Sequence, residues 1–124
     1  MKMLKTVLID VVRKTVEDVE VKDDLDAFYE KLNCSMVEIT SLMIGGVWYD
    51  IMCDEEGLLK NQPIVSAVQL ETLDPMLVGN LMFFNYDGRG NLVSLDDTDI
   101  ERIKDNIVIA FDRNGGISPC VLIG

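Results

Sequence analysis

The chain has 124 residues, 48% of them hydrophobic, and its 22 acidic side chains against 11 basic ones give a net charge of -11. That length suits a single domain with its own core, and the apolar share excludes a disordered acidic tail. The acidic excess argues against direct nucleic-acid binding, which needs clustered Lys and Arg, and against adsorption to anionic lipid.

Residues 3–9 and 15–21 read as two strands joined by a turn over Asp10 to Lys14, with Val16, Val19 and Val21 as the apolar set of the second. Asp23 is placed to N-cap a short helix, with Asp26 in the capping-box position. Leu25, Phe28, Tyr29 and Leu32 then recur at helical spacing until Asn33. A third strand, Met36 to Met43, turns at Ile44-Gly45-Gly46 into a fourth, Val47 to Cys53. On this strand Val47, Tyr49, Ile51 and Cys53 share one face, and Trp48, Asp50, Met52 and Asp54 the other.

Residues 55–77 read as irregular, because Pro63 and Pro75 oppose a long helix. Met76 to Tyr86 is the strongest strand signal, followed by a turn at Asp87 to Asn91 and a short return at Leu92-Val93. Asp96 is expected to N-cap a second helix, with Asp99 three residues on, a staple of Leu95 with Ile100, and an inner stripe of Ile100, Ile103 and Ile107. Ile107 to Phe111 and Ile117 to Ile123 make a last hairpin around Asn114-Gly115-Gly116. The order predicts an α+β fold, a mostly antiparallel sheet of hairpins with two short helices packed on it.

No histidine is present, which removes Ser-His-Asp and Cys-His catalysis and nearly all zinc hydrolase sites. The common phosphate loops, GxxxxGK[ST] and GxGxxG, are also absent. Cys34, Cys53 and Cys120 are odd in number and widely spaced, so reduced, mostly buried thiols in a cytosol are expected. The N-terminal lysines and apolar residues are interrupted by Asp10, and no apolar run is long enough to span a membrane.

Asp50, Asp54, Glu55 and Glu56 can in principle hold a hard cation or act as an acid–base pair, but Glu55-Glu56-Gly57 follows a strand end, where carboxylates normally sit in solvent. Asn85, Asp87, Gly90, Leu92 and Asp96 fall on calcium-loop positions, but Arg89 takes a position that needs an oxygen ligand. A turn followed by a capped helix accounts for that segment without metal, and no cofactor is expected. Trp48, Tyr49, Phe83, Phe84 and Tyr86 can line a ligand groove, though aromatics on central strands usually belong to a core. The interaction candidates are Trp48, Tyr49, Asp50, Asp54, Glu55, Lys60, Asn80, Asp87 and Arg89.

The stretches YDIMCDEEGLLK (Tyr49 to Lys60), PMLVGNL (Pro75 to Leu81) and DGRGNLVSLDDTDI (Asp87 to Ile100) together resemble the domain-of-unknown-function family numbered 3846. The resemblance covers about residues 5–107, leaving the C-terminal hairpin 107–123 outside it, within one domain spanning 1–124. It implies a small protein of phages and conjugative elements of low-GC Gram-positive bacteria, and it brings no catalytic residues.

Three expectations of different classes follow from that setting. The first is a non-enzymatic binding protein that obstructs a host protein, such as a defence protein, in the host cytosol. It would use an acidic face including Asp18, Glu20, Asp24, Asp97 and Glu101. The second is a homo-oligomeric module capturing a nucleotide-derived small molecule at glycine nests, with Arg89 or Lys60 supplying charge. The third is a metal-dependent enzyme built on Asp54 and Glu55.

Overall fold

The computed structural model describes residues 2–60, 63–85, 87–111 and 116–124. In chain order the elements are β1 (Met3–Asp10), β2 (Thr15–Lys22), α1 (Leu25–Leu32), β3 (Val37–Ile44), β4 (Val47–Asp54) and a 3₁₀ turn (Gly57–Leu59). They continue with β5 (Val65–Gln69), β6 (Pro75–Val78), β7 (Leu81–Asn85), α2 (Asp97–Asp105), β8 (Ile107–Phe111) and β9 (Ile117–Ile123). The fold is α+β and mostly antiparallel, with its strands divided between two sheets. One runs β2-β1-β7-β4-β3 and the other β6-β5-β9-β8, where β5 lies parallel to β9.

The alternation expected on β4 is what builds the layers. Tyr49, Ile51 and Cys53 join Val7, Ile9, Leu81 and Phe83 in a core shared with the second sheet and α2. Met52, Met82 and Phe84 point the other way, onto Phe28 and Leu32 of α1, where the Phe28 and Phe84 rings meet edge to face. The central strands are therefore buried on both faces, and α1 lies on one side of the first sheet while α2 and the second sheet lie on the other.

Four local expectations are corrected. Asp24, not Asp23, caps α1: its extended backbone aims the carboxylate at the Ala27 N–H, 2.8 Å away, while Asp23 faces Lys2. Residues 55–77 are not irregular throughout, because β5 forms by pairing with β9 far along the chain. The apolar run from Met76 is broken at Gly79 (φ +80°), which sends β6 into the second sheet and β7 into the first; Tyr86 lies outside the described residues. Ile107 begins β8 rather than ending the helical stripe, although it still packs on the core beside Ile100 and Ile103. Asn114 and Gly115 of the expected last turn also lie outside the described residues.

The β3–β4 hairpin closes through Gly45 and Gly46, at φ +58° and +85°, with Ile44 paired to Val47. A side chain at Gly45 would be strained by its φ, and its Cβ would stand 2.9 Å from Arg102 Cγ. Gly45→Ala should therefore lower the unfolding free energy by about 1–3 kcal/mol. Urea denaturation would read this as a lower midpoint at unchanged slope, and an unchanged midpoint would show that the turn does not need glycine.

Candidate functional site

The nine sequence candidates separate into a structural node, a locked loop and an exposed remainder. Tyr49 is fully buried. Its hydroxyl donates to Asp99 Oδ1 at 2.7 Å and accepts from Arg102 at 2.6 Å. Asp99 Oδ2 also accepts from Asn85 Nδ2 (2.8 Å) and from the Asp96 N–H (3.1 Å), completing the expected capping box. Tyr49 thus ties β4 to α2 and has no surface to offer a ligand, which corrects its placement among the aromatic contacts. Asn85 and Asp96, two of the calcium-loop positions, are committed to the same node.

Burial pushes the Asp99 carboxyl up, yet hydrogen bonds from Tyr49, the Asp96 backbone and Asn85 together hold it below its ordinary 3.8. Tyr49 is pushed up to about 12, by burial and by the neighbouring Asp99. It therefore remains a donor throughout the working pH range.

Asp54, Lys60 and Asn80 do come together, around a cavity of about 150 Å³ lined also by Val11, Leu32 and Ile64. Their polar groups are spoken for. Asp54 accepts from Lys60 Nζ at 2.6 Å and from the Glu56 N–H at 2.9 Å. Lys60 also donates to the Asn33 carbonyl, and Asn80 joins the Val11 N–H to the Lys31 carbonyl. This arrangement pins the loop after β4 onto the end of α1. Asp50 is likewise buried, accepting from Ser41 Oγ at 2.6 Å.

Trp48, Glu55 and Arg89 are exposed, while Asp87 is half-buried and bound by the Arg89 N–H, which holds its carboxyl below the ordinary range. Among the described residues, no three Cys, Asp or Glu side chains converge as a metal ion would require. All three thiols are free, and burial pushes each one up, Cys53 to about 12; Cys34 is half-buried rather than enclosed.

The acids expected on one continuous face do not share it. Asp18 pairs with Lys104 and Asp97 with Lys5, and Glu20 stands near Lys5, all on the α2 side of the first sheet. Asp24 caps α1 and pairs with Lys22 at 3.3 Å, where the chain leaves β2 for the helix on the opposite side. Two lysines interrupt the group that remains.

Sequence reasoning missed a concavity larger than the one at Asp54. On the outer face of the second sheet lies a groove of about 400 Å³ with a buried floor of Val68, Ser118 and Cys120. Its rim is apolar and open: Leu58, Leu73 and Phe111 are 77%, 60% and 81% exposed. Leu58, Pro75 and Val78 are shared with an adjoining pocket of about 180 Å³ that carries Glu38, Asp54 and Glu55. A signal for it was present. No residue of β5, β6, β8 or β9 is charged, whereas four of the five strands of the first sheet carry acids or lysines.

Two packed sheets with a helix over each side define a small α+β domain, which carries an open apolar groove beside a carboxylate pocket. The chain belongs to the family described as a domain of unknown function (DUF3846), whose model matches residues 3–108. The β9 strand, which supplies part of the groove floor, lies beyond the matched range. No curated protein and no solved structure matches the chain. No helix among the described residues is long and apolar enough to cross a membrane.

Asp99→Asn removes the charge while leaving the buried Tyr49 and the half-buried Arg102 beside it, and should cost about 1–3 kcal/mol at neutral pH. Because the folded-state carboxyl titrates below its ordinary 3.8, the stabilisation is complete above that value and disappears as pH falls through the lower folded-state one. Thermal unfolding should thus show a constant gap between wild type and variant at pH 6 to 8 that closes below about pH 4. A gap that persists unchanged in acid would show that the node does not depend on charge.

Proposed function

We propose that this chain is a non-enzymatic binding protein that acts by occupying a partner protein, in keeping with the mobile-element accessory role implied by its family resemblance. The observation that supports this is the charge-free groove of the second sheet, opening beside Glu38 and Glu55 in a chain of net charge -11. An exposed apolar concavity with a polar border is the usual form of an interaction site. Its chemistry fits a segment with a large apolar anchor next to a lysine or arginine. The anchor would fill the groove over Val68 and Cys120, and the cation would reach Glu38 and Glu55. Obstruction of a host protein is then a matter of this groove rather than of a broad acidic face.

Catalysis draws little support from the geometry, since Asp54 is neutralised by Lys60 and the Tyr49–Asp99 pair is enclosed. Capture of a small molecule has one observation in its favour. Ser118 lines the groove, is 2% exposed, and its hydroxyl has no hydrogen-bond partner among the described residues. Native mass spectrometry of protein from its natural host would show such a ligand directly.

Selection of the purified protein against a random peptide library tests the main reading. Enriched peptides should pair a large apolar residue with an adjacent Lys or Arg, and their binding should weaken with salt. Leu73→Asp should abolish binding, while Asp18→Asn on the α2 side should leave it unchanged. Enrichment of acidic peptides, or binding indifferent to Leu73→Asp, would contradict the proposal.

A further inference from the structure

β8 is the outermost strand of the second sheet, and among the described residues nothing pairs with its free side. The Leu122 N–H donates to the Asn106 carbonyl, and the β8–β9 register continues from there with Ile107 opposite Val121. In an antiparallel ladder, residues alternate between bonding their partner and facing away from it. Val108 and Ala110 therefore bond to β9, and Ile107, Ile109 and Phe111 present N–H and C=O groups to the outside.

Proteins usually protect such an edge with a lysine, a proline, a bulge or a covering segment. β8 reads Ile-Val-Ile-Ala-Phe and has none of these residues, and its pairing with β9 is unbroken by a bulge. The side chains beside the open edge are apolar as well: Ile109 is 63% exposed, and Phe111 and its cross-strand neighbour Ile117 are also open to solvent.

The occupant must supply an extended backbone and tolerate apolar side chains, and it must bring no acidic side chain onto the paired strand, since the chain it meets carries a net charge of -11. We infer that it is β8 of a second copy, running antiparallel across a two-fold axis at Ile109 and joining two four-stranded sheets into one. The pattern is self-complementary. Ile109 meets Ile109 of the other copy and Ile107 meets Phe111, each pair made of outward-facing residues that exchange two backbone hydrogen bonds. Because β8 and β9 carry no charge, no like-charged side chains face each other along the paired strands.

Sedimentation equilibrium with the full chain tests this. Wild type should have twice the 13.9 kDa chain mass, and the dimer should tighten with added salt as repulsion is screened. That is the opposite salt dependence to binding a basic peptide, so the two readings fail separately. Ile109→Lys should give a folded monomer by circular dichroism, and Leu73→Asp should remain a dimer. In Ile109→Cys the two new thiols would lie on residues about 5.5 Å apart at Cα, within disulfide range, and mild oxidation should cross-link the copies. A monomeric wild type at high salt, a dimer that survives Ile109→Lys, or failure of Ile109→Cys to cross-link beyond wild type would overturn the inference.

Discussion

The carboxylate of Asp99 is the point on which the arrangement of this protein depends. An ionised group taken out of water is costly unless hydrogen bonds replace its hydration. Asp99 meets that condition by drawing donors from three elements: Tyr49 on β4, Asn85 at the end of β7, and Arg102 with the Asp96 backbone on α2. These groups satisfy it only when α2 lies across the first sheet in one position. The helix then delivers Ile100 and Ile103 to the core and ends at Asn106, whose carbonyl receives the Leu122 N–H. The β8–β9 hairpin, and with it one wall of the outer groove, is thus placed by a buried charge.

Charge is distributed unevenly over the two sheets, and this shapes what the surface can do. The first sheet and both helices hold acids and lysines that pair across short distances, as Asp18 does with Lys104 and Asp97 with Lys5. The second sheet is bare of charge on both faces. One face closes the core through Ala67, Val121 and Ile123, and the other is the floor of the groove. A net charge of -11 opposes nonspecific self-association of a chain that exposes an apolar surface. The acids are better understood as the condition that permits an exposed apolar sheet.

Local chemistry made much of the fold legible in the sequence. The hairpins at residues 3–22 and 37–54 follow from alternation and from two glycines at a tight turn. The capped α2 follows from Asp96 and Asp99. The strands that were missed depend on distant partners: β5 has a short, ambiguous pattern and is defined by pairing with β9. Only the backbone shows that Gly79 divides an apolar run between two sheets. For the site, the sequence offered Asp54, Lys60 and Asn80 only as separate candidates; the fold brings them around one cavity, where each satisfies another or a nearby backbone group. Tyr49 and Asp99 are 50 residues apart, and no local rule joins them. The groove was hidden because the charge-free β5, β6, β8 and β9 mark only an apolar sheet, and which of its faces stays open is set by how the fold gathers them.

Amide hydrogen exchange on the Asp99→Asn protein, followed residue by residue beside wild type, tests the central claim most directly. The account predicts that α2 and the β8–β9 hairpin lose protection together, while the β1–β2 hairpin and α1, which share the other core, keep theirs. Equal loss of protection across both sheets, or α2 opening with the hairpin unaffected, would contradict the view that one buried carboxylate sets the position of the second sheet.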